Sequence, residues 1–75
     1  MARAPSLKII NRLPELRKAK GLTQEELGQA IGATRVTINY LENGEYLPSL
    51  EMAFRLAKFF GKRIEDMFWA GEEKK

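Results

Sequence analysis

Arg35, Val36, Asn39 and Tyr40 are the side chains of this sequence whose types and spacing point to chemistry. At about 100° per residue they fall, with Asn43, on one side of a helix. Thr37, Ile38, Leu41 and Glu42 fall on the other side, together with Thr34. The first group offers a guanidinium, two amides, a phenol and one exposed β-branched apolar residue. Such groups hydrogen-bond to base edges or pack against a thymine methyl. A surface helix with a purely structural role would usually carry mixed Lys and Glu there.

Two short helices must position that face. Thr23 starts the first, because its hydroxyl can accept from a backbone N–H one turn on and Glu26 follows three residues later as a capping box. Glu25 and Glu26 place negative charge where the helix dipole favours it. Leu27, Ala30 and Ile31 recur at helical spacing as the buried stripe. Gly32 ends this helix, since glycine takes a left-handed C′ conformation without strain. Thr34 is the next N-cap after a turn of about three residues, the connection of two helices that present one of their number edge-on to the major groove. Asn43-Gly44 stops the second helix, with Ile38 and Leu41 as its inward anchors.

The remaining chain supports this pair. Residues 1–10 are expected to be a tail or a short extended segment, because Pro14 forbids a normal helix through Leu13. A helix from Pro14 to about Lys20 precedes Gly21. Ser49 caps a fourth helix to Phe60, with Leu50, Ala53, Phe54, Leu56, Ala57 and Phe60 available for the core. A fifth, about Ile64 to Phe68, closes the domain. The expected fold is all-α: a compact bundle of five short helices spanning residues 11–69, in which helices 2 and 3 form the helix-turn-helix. Residues 70–75 are expected to be a disordered tail.

The chain has 75 residues, enough for one domain with a small core that oligomerisation would help. It has no cysteine and no histidine. That removes thiolate sites, the commonest metal ligand and the usual general base near neutral pH, so no metal, cofactor or small-molecule ligand is expected. Ser6 and Ser49 lack an evident base, there is no glycine-rich phosphate loop, and an enzyme is not expected. No apolar run approaches the ~18 residues that span a membrane. Without a signal-peptide core, a reducing, cytoplasmic location is the default expectation. Net charge is +3, unevenly spread. Residues 1–40 carry seven Lys or Arg against three Glu, leaving +4, and residues 41–75 carry −1. The excess lies in the half holding the paired helices, the footprint a polyanion binder needs.

Two charges sit on buried arcs. Arg17 shares one with Leu13 and Leu16, and Glu42 shares another with Ile38 and Leu41. A lone buried charge costs several kcal/mol, roughly, so opposite signs suggest a mutual pair tying helix 1 to helix 3. The other possibility is that both snorkel to water.

The run NRLPELRKAKGLTQEELGQAIGATRVTINYLENGEYLPSLEMAFRLAKFFGKRIEDMF resembles the lambda-repressor-like, Cro or xenobiotic-response-element type of helix-turn-helix domain. Its most specific parts are RKAKGLTQEELGQAIG, TRVTINYLENG and PSLEMAFRLAKFFG. The resemblance implies a five-helix bundle that binds operator DNA as a dimer and regulates transcription. It implies that Thr34, Arg35, Val36, Asn39 and Tyr40 lie in or beside the major groove. Gln24, with backbone N–H groups of its helix end, would bind a phosphate, and Asn43 with the loop after it would clamp the backbone on the other side. Arg17 and Glu42 match the family's buried ion pair. The sequence also departs from the pattern: many relatives carry Gln, Ser or Ala at the positions of Val36, Asn39 or Tyr40. Tyr40 is large enough to reach a phosphate instead of a base. Lys62-Arg63 replaces the Ser or Thr that often caps helix 5, leaving that start open.

Arg12, Lys18 and Lys20 are further candidates for phosphate contact. Double-stranded DNA read by a homodimer at a palindromic operator, with repression as the outcome, is the expected function. A dimer surface could use Met67, Phe68 and Trp69, or those residues could fold back on helices 1 and 4; residues 6–10 could also pair between subunits. The competing expectation is a protein-interaction module, antitoxin-like or scaffolding, with weak sequence-blind DNA binding. RNA is disfavoured because no aromatic stacking platform is visible.

Overall fold

The computed structural model describes residues 7–71. The element order is β1 (Lys8–Asn11), α1 (Leu13–Ala19), α2 (Gln24–Ile31), α3 (Arg35–Glu42), α4 (Leu50–Phe60), α5 (Ile64–Met67) and β2 (Phe68–Gly71). Five helices therefore form as expected, each within a residue or so of its sequence boundary. The capping chemistry explains why. Thr23 Oγ1 accepts from the Glu26 backbone N–H and Glu26 accepts from the Thr23 N–H, closing the capping box of α2. Thr34 and Ser49 do the same one-sided job for α3 and α4. The left-handed Gly32, at φ 79°, ends α2 and turns the chain into α3. α5 starts at Ile64 without a side-chain cap. Instead Arg63 donates to Asp66 at 3.3 Å, and that hydrogen bond holds the Asp66 carboxyl below the usual aspartate range.

The sequence reading lacked the small sheet. β1 and β2 pair antiparallel, with Lys8 opposite Gly71, Ile9 opposite Ala70, Ile10 opposite Trp69 and Asn11 opposite Phe68. The ordered unit thus reaches past residues 11 and 69 at both ends, and Ala70 and Gly71 belong to a strand rather than a tail. Within the chain, one edge of β1 is taken by β2. The expected tails at 1–6 and 72–75 lie outside the described residues.

Leu13, Leu27, Ile31, Ile38, Leu41, Leu56, Ala57 and Met67 form one buried cluster, drawing on every helix. Leu16, Met52, Phe59, Phe60, Ile64 and Phe68 pack around it. Met67, one candidate for a dimer surface, is fully buried in this cluster, so for this residue the alternative holds that it folds back into its own domain. Leu50 and Phe54 are corrected in the opposite sense. Both were counted towards the core, and both are exposed, at 72% and 54%. The buried stripe of α4 is Ala53, Leu56 and Ala57; Phe54 lies outside that arc, and Leu50, though near it, is the first residue of the helix and stands at its exposed end.

Candidate nucleic-acid interface

α3 is seated by Ile38 and Leu41, both fully buried, and this leaves the opposite side of the helix open. Arg35, Val36, Tyr40 and Asn43 are exposed there with Asn39 half-buried among them, and the cap Thr34 is exposed at the start of the helix. Val36 and Tyr40 keep 48% and 47% of their surface in solvent, a high value for apolar groups of this size without a partner. The helix thus presents the mixture of donors, acceptors and apolar surface that its sequence specifies.

Close backbone approach between α2 and the following turn fixes where α3 points. The Ala33 N–H donates to the Gly28 carbonyl at 2.7 Å. A Cβ at Gly28 would lie 2.5 Å from the Ala33 carbonyl oxygen, a backbone atom that cannot swing aside. Glycine at this helical position is therefore a packing requirement. Beyond the turn, Arg55 of α4 donates to the Ile31 carbonyl at 3.1 Å, satisfying the end of α2.

A partly buried polar network locks the far end of α3. Arg17 Nε donates to Glu42 Oε2 at 2.6 Å and Arg17 Nη2 donates to Glu42 Oε1 at 3.2 Å. The two side chains are only 13% and 4% exposed. Arg17 Nη1 also donates to the Leu22 carbonyl at 2.9 Å, so one guanidinium joins α1, the start of α2 and α3. The Glu42 hydrogen bond raises the affinity of Arg17 for its proton still further. Gln24 Nε2 donates to Glu42 Oε1 at 3.0 Å and reaches Asn39 Oδ1 at 3.5 Å. Asn43 Nδ2 donates to the same Asn39 oxygen at 3.2 Å. Nearby, Asn11 Nδ2 donates to the Leu41 carbonyl at 3.0 Å, anchoring α3 to β1.

The geometry sorts the other expected residues. Lys18 is exposed on α1. The Arg12 guanidinium lies 5.0 Å from the Trp69 ring centroid, and the Lys20 ammonium lies 5.5 Å from that of Phe59. Both cations therefore rest on rings of β2 and α4. The Gln24 side-chain N–H groups are turned inward, towards Glu42 and Asn39. The inward turn of Gln24 was not legible beforehand. It requires knowing that the first residue of α2 and the last residue of α3 share one buried corner.

Similarity to known proteins coincides with this unit. The Helix-turn-helix family model matches residues 13–67, from the first residue of α1 to the last of α5. The chain belongs to the helix-turn-helix family. It is 44% identical over 63 residues to the uncharacterized HTH-type transcriptional regulator YgzD of Bacillus subtilis, covering 84% of this chain and 96% of that protein. It is 50% identical over 58 residues to the uncharacterized HTH-type transcriptional regulator MJ0272 of Methanocaldococcus jannaschii, covering 77% of this chain and 88% of the relative. Among solved structures, the restriction-modification controller protein C.AhdI from Aeromonas hydrophila is similar, with a TM-score of 0.65 at 35% identity. That likeness covers 72% of this chain and 78% of the controller chain. The helix-turn-helix regulators are DNA-binding and non-enzymatic, and this member is a transcriptional regulator of that kind rather than an enzyme. Among the described residues, no helix of this helix-turn-helix protein is long and apolar enough to cross a membrane.

Proposed function

We propose that this protein is a sequence-specific double-stranded DNA-binding repressor that reads a palindromic operator as a homodimer, with α3 in the major groove. One observation carries this reading: α3 holds Arg35, Val36 and Tyr40, with Asn39 half-buried among them, on a face that the other described residues leave open. Thr34 and Arg35 stand at the leading end of that helix, where a groove-reading helix makes its base contacts. Arg35 is the bidentate partner for guanine, and Val36 offers apolar contact to a thymine methyl. Tyr40 lies along the same face, within reach of a base or the flanking backbone.

Phosphate contacts supply most of the affinity and base contacts most of the specificity. Lys18, Asn43 and the backbone at the start of α2 take the first role, with Arg12 and Lys20 contributing charge from their aromatic perches. One copy reads about four or five base pairs, too few to be selective. Two copies with their recognition helices about 34 Å apart read two half-sites one helical turn apart. The apolar surface such a dimer would cover is at Leu50 and Phe54, with Trp69 and Phe68 as lesser contributors. Repression follows where the operator overlaps a promoter, because the dimer and the polymerase then compete for the same DNA. A cytoplasmic location, with access to the chromosome, is part of the same proposal.

Selection of bound duplexes from a random pool at two salt concentrations tests this function. A symmetric motif that persists at the higher salt is the expected result. Retention of all sequences alike, lost as salt rises, would instead favour the interaction-module alternative.

A further inference from the structure

Asn39 is an amide on the open face of α3 whose oxygen is engaged by two neighbouring side chains. Its Oδ1 accepts from Asn43 Nδ2 at 3.2 Å and faces Gln24 Nε2 at 3.5 Å. Among the described residues, Asn39 Nδ2 donates to no protein acceptor. The asymmetry has a chemical origin two residues away. The Glu42 carboxylate is held by Arg17 and can only accept. It therefore takes the NH2 end of Gln24, at 3.0 Å, and not the oxygen. That leaves the second Gln24 N–H directed at Asn39. An Asn39 turned the other way would set its NH2 against that of Gln24. The donor direction thus runs from Arg17 and Gln24 into Glu42, and from Gln24 and Asn43 into Asn39.

We propose that Glu42, acting through Gln24, fixes Asn39 with its oxygen inward and its NH2 outward, so that Asn39 selects guanine over adenine. This rests on the reading of α3 as the groove-facing helix. An asparagine free to turn usually reads adenine, because its oxygen accepts from N6 while its nitrogen donates to N7. Here the oxygen is already engaged. Two outward N–H groups match the adjacent O6 and N7 acceptors of guanine, and one of them would oppose the N6 donor of adenine. Glu42 and Gln24 are positioning residues in this account, and Asn39 is the reader.

The test is random-pool selection with the wild-type chain, Asn39→Ala, Glu42→Gln and Gln24→Met. Asn39→Ala locates the base pair that depends on Asn39. At that pair the wild type is expected to enrich G·C, by about tenfold over A·T. Gln24→Met cuts the relay while leaving the Arg17–Glu42 pair in place, so it covers the case in which Glu42→Gln fails to fold. Either relay variant is expected to admit A·T at that one pair while the preference set by Arg35 persists. Enrichment of A·T by the wild type overturns the proposal. So does an Asn39→Ala variant with an unchanged motif, or a folded relay variant that keeps the G·C preference. Absence of any motif from the wild type would sink the DNA-reading function itself, an outcome distinct from a motif with the wrong base.

Discussion

Arg35 and Lys18 are both exposed cations, yet they are expected to fail in different ways. Arg35 stands at the start of α3, where a guanidinium can fork onto guanine O6 and N7. Arg35→Ala should cost roughly 1–3 kcal/mol on the preferred operator and relax the preference at a single base pair. Lys18 acts as a point charge towards phosphate. Lys18→Gln should weaken every sequence about equally and lower the salt slope by about one. Binding isotherms on matched and singly mismatched duplexes over a salt series separate the two. Equal weakening of all sequences by Arg35→Ala would remove its base-reading role. At this scale the sequence was informative about identity and face, because helical periodicity alone placed Arg35, Val36, Asn39 and Tyr40 together. It was silent on orientation: nothing in the order of residues says that Gln24 turns its amide inward or that Arg12 rests on Trp69.

The elements depend on two devices that a substitution can probe. The first is the Arg17–Glu42 pair. Arg17→Met leaves a carboxylate that is only 4% exposed without its cation, and should cost roughly 3–5 kcal/mol. Replacing Glu42 by Leu in the same chain should recover much of that loss, because removing both charges avoids the orphaned one. Denaturant unfolding of the single and double variants measures this coupling, and additive losses would contradict it. The second device is Gly28. Gly28→Ala puts a methyl 2.5 Å from the Ala33 carbonyl, so α2 and the turn must separate. It should lower stability by roughly 1–3 kcal/mol despite alanine's better helix propensity, with a fall in thermal midpoint as the readout. The helices were legible because Thr23, Thr34, Ser49, Gly21 and Gly32 mark their ends with capping and turn chemistry, which acts locally. β1 and β2 were not legible as a pair. Their partnership joins residues about sixty apart, and four-residue strands carry too little periodicity to announce it.

For the whole molecule, exposed apolar surface is the feature the sequence misassigned. Periodicity counted Leu50 and Phe54 as core because a short amphipathic helix allows a wide apolar arc, and only packing decides which part of that arc is buried. α4 carries more apolar groups than a small core can enclose. If that surplus holds two copies together, Phe54→Ser should leave the unfolding free energy of the isolated chain within about 1 kcal/mol of its original value, since the side chain is already exposed. The same change should weaken self-association in sedimentation equilibrium and reduce affinity for a two-half-site duplex more than for one half-site. An unchanged association constant would place the dimer surface elsewhere. The open side of α3 remains the claim on which the functional account stands. Its most direct test is amide and side-chain NMR of the labelled protein titrated with a duplex from the selected pool. The largest shifts are expected at Thr34 to Tyr40, with smaller ones at Asn43 and the start of α2. Shifts centred on Leu50 and Phe54, with the α3 face unmoved, would contradict the account.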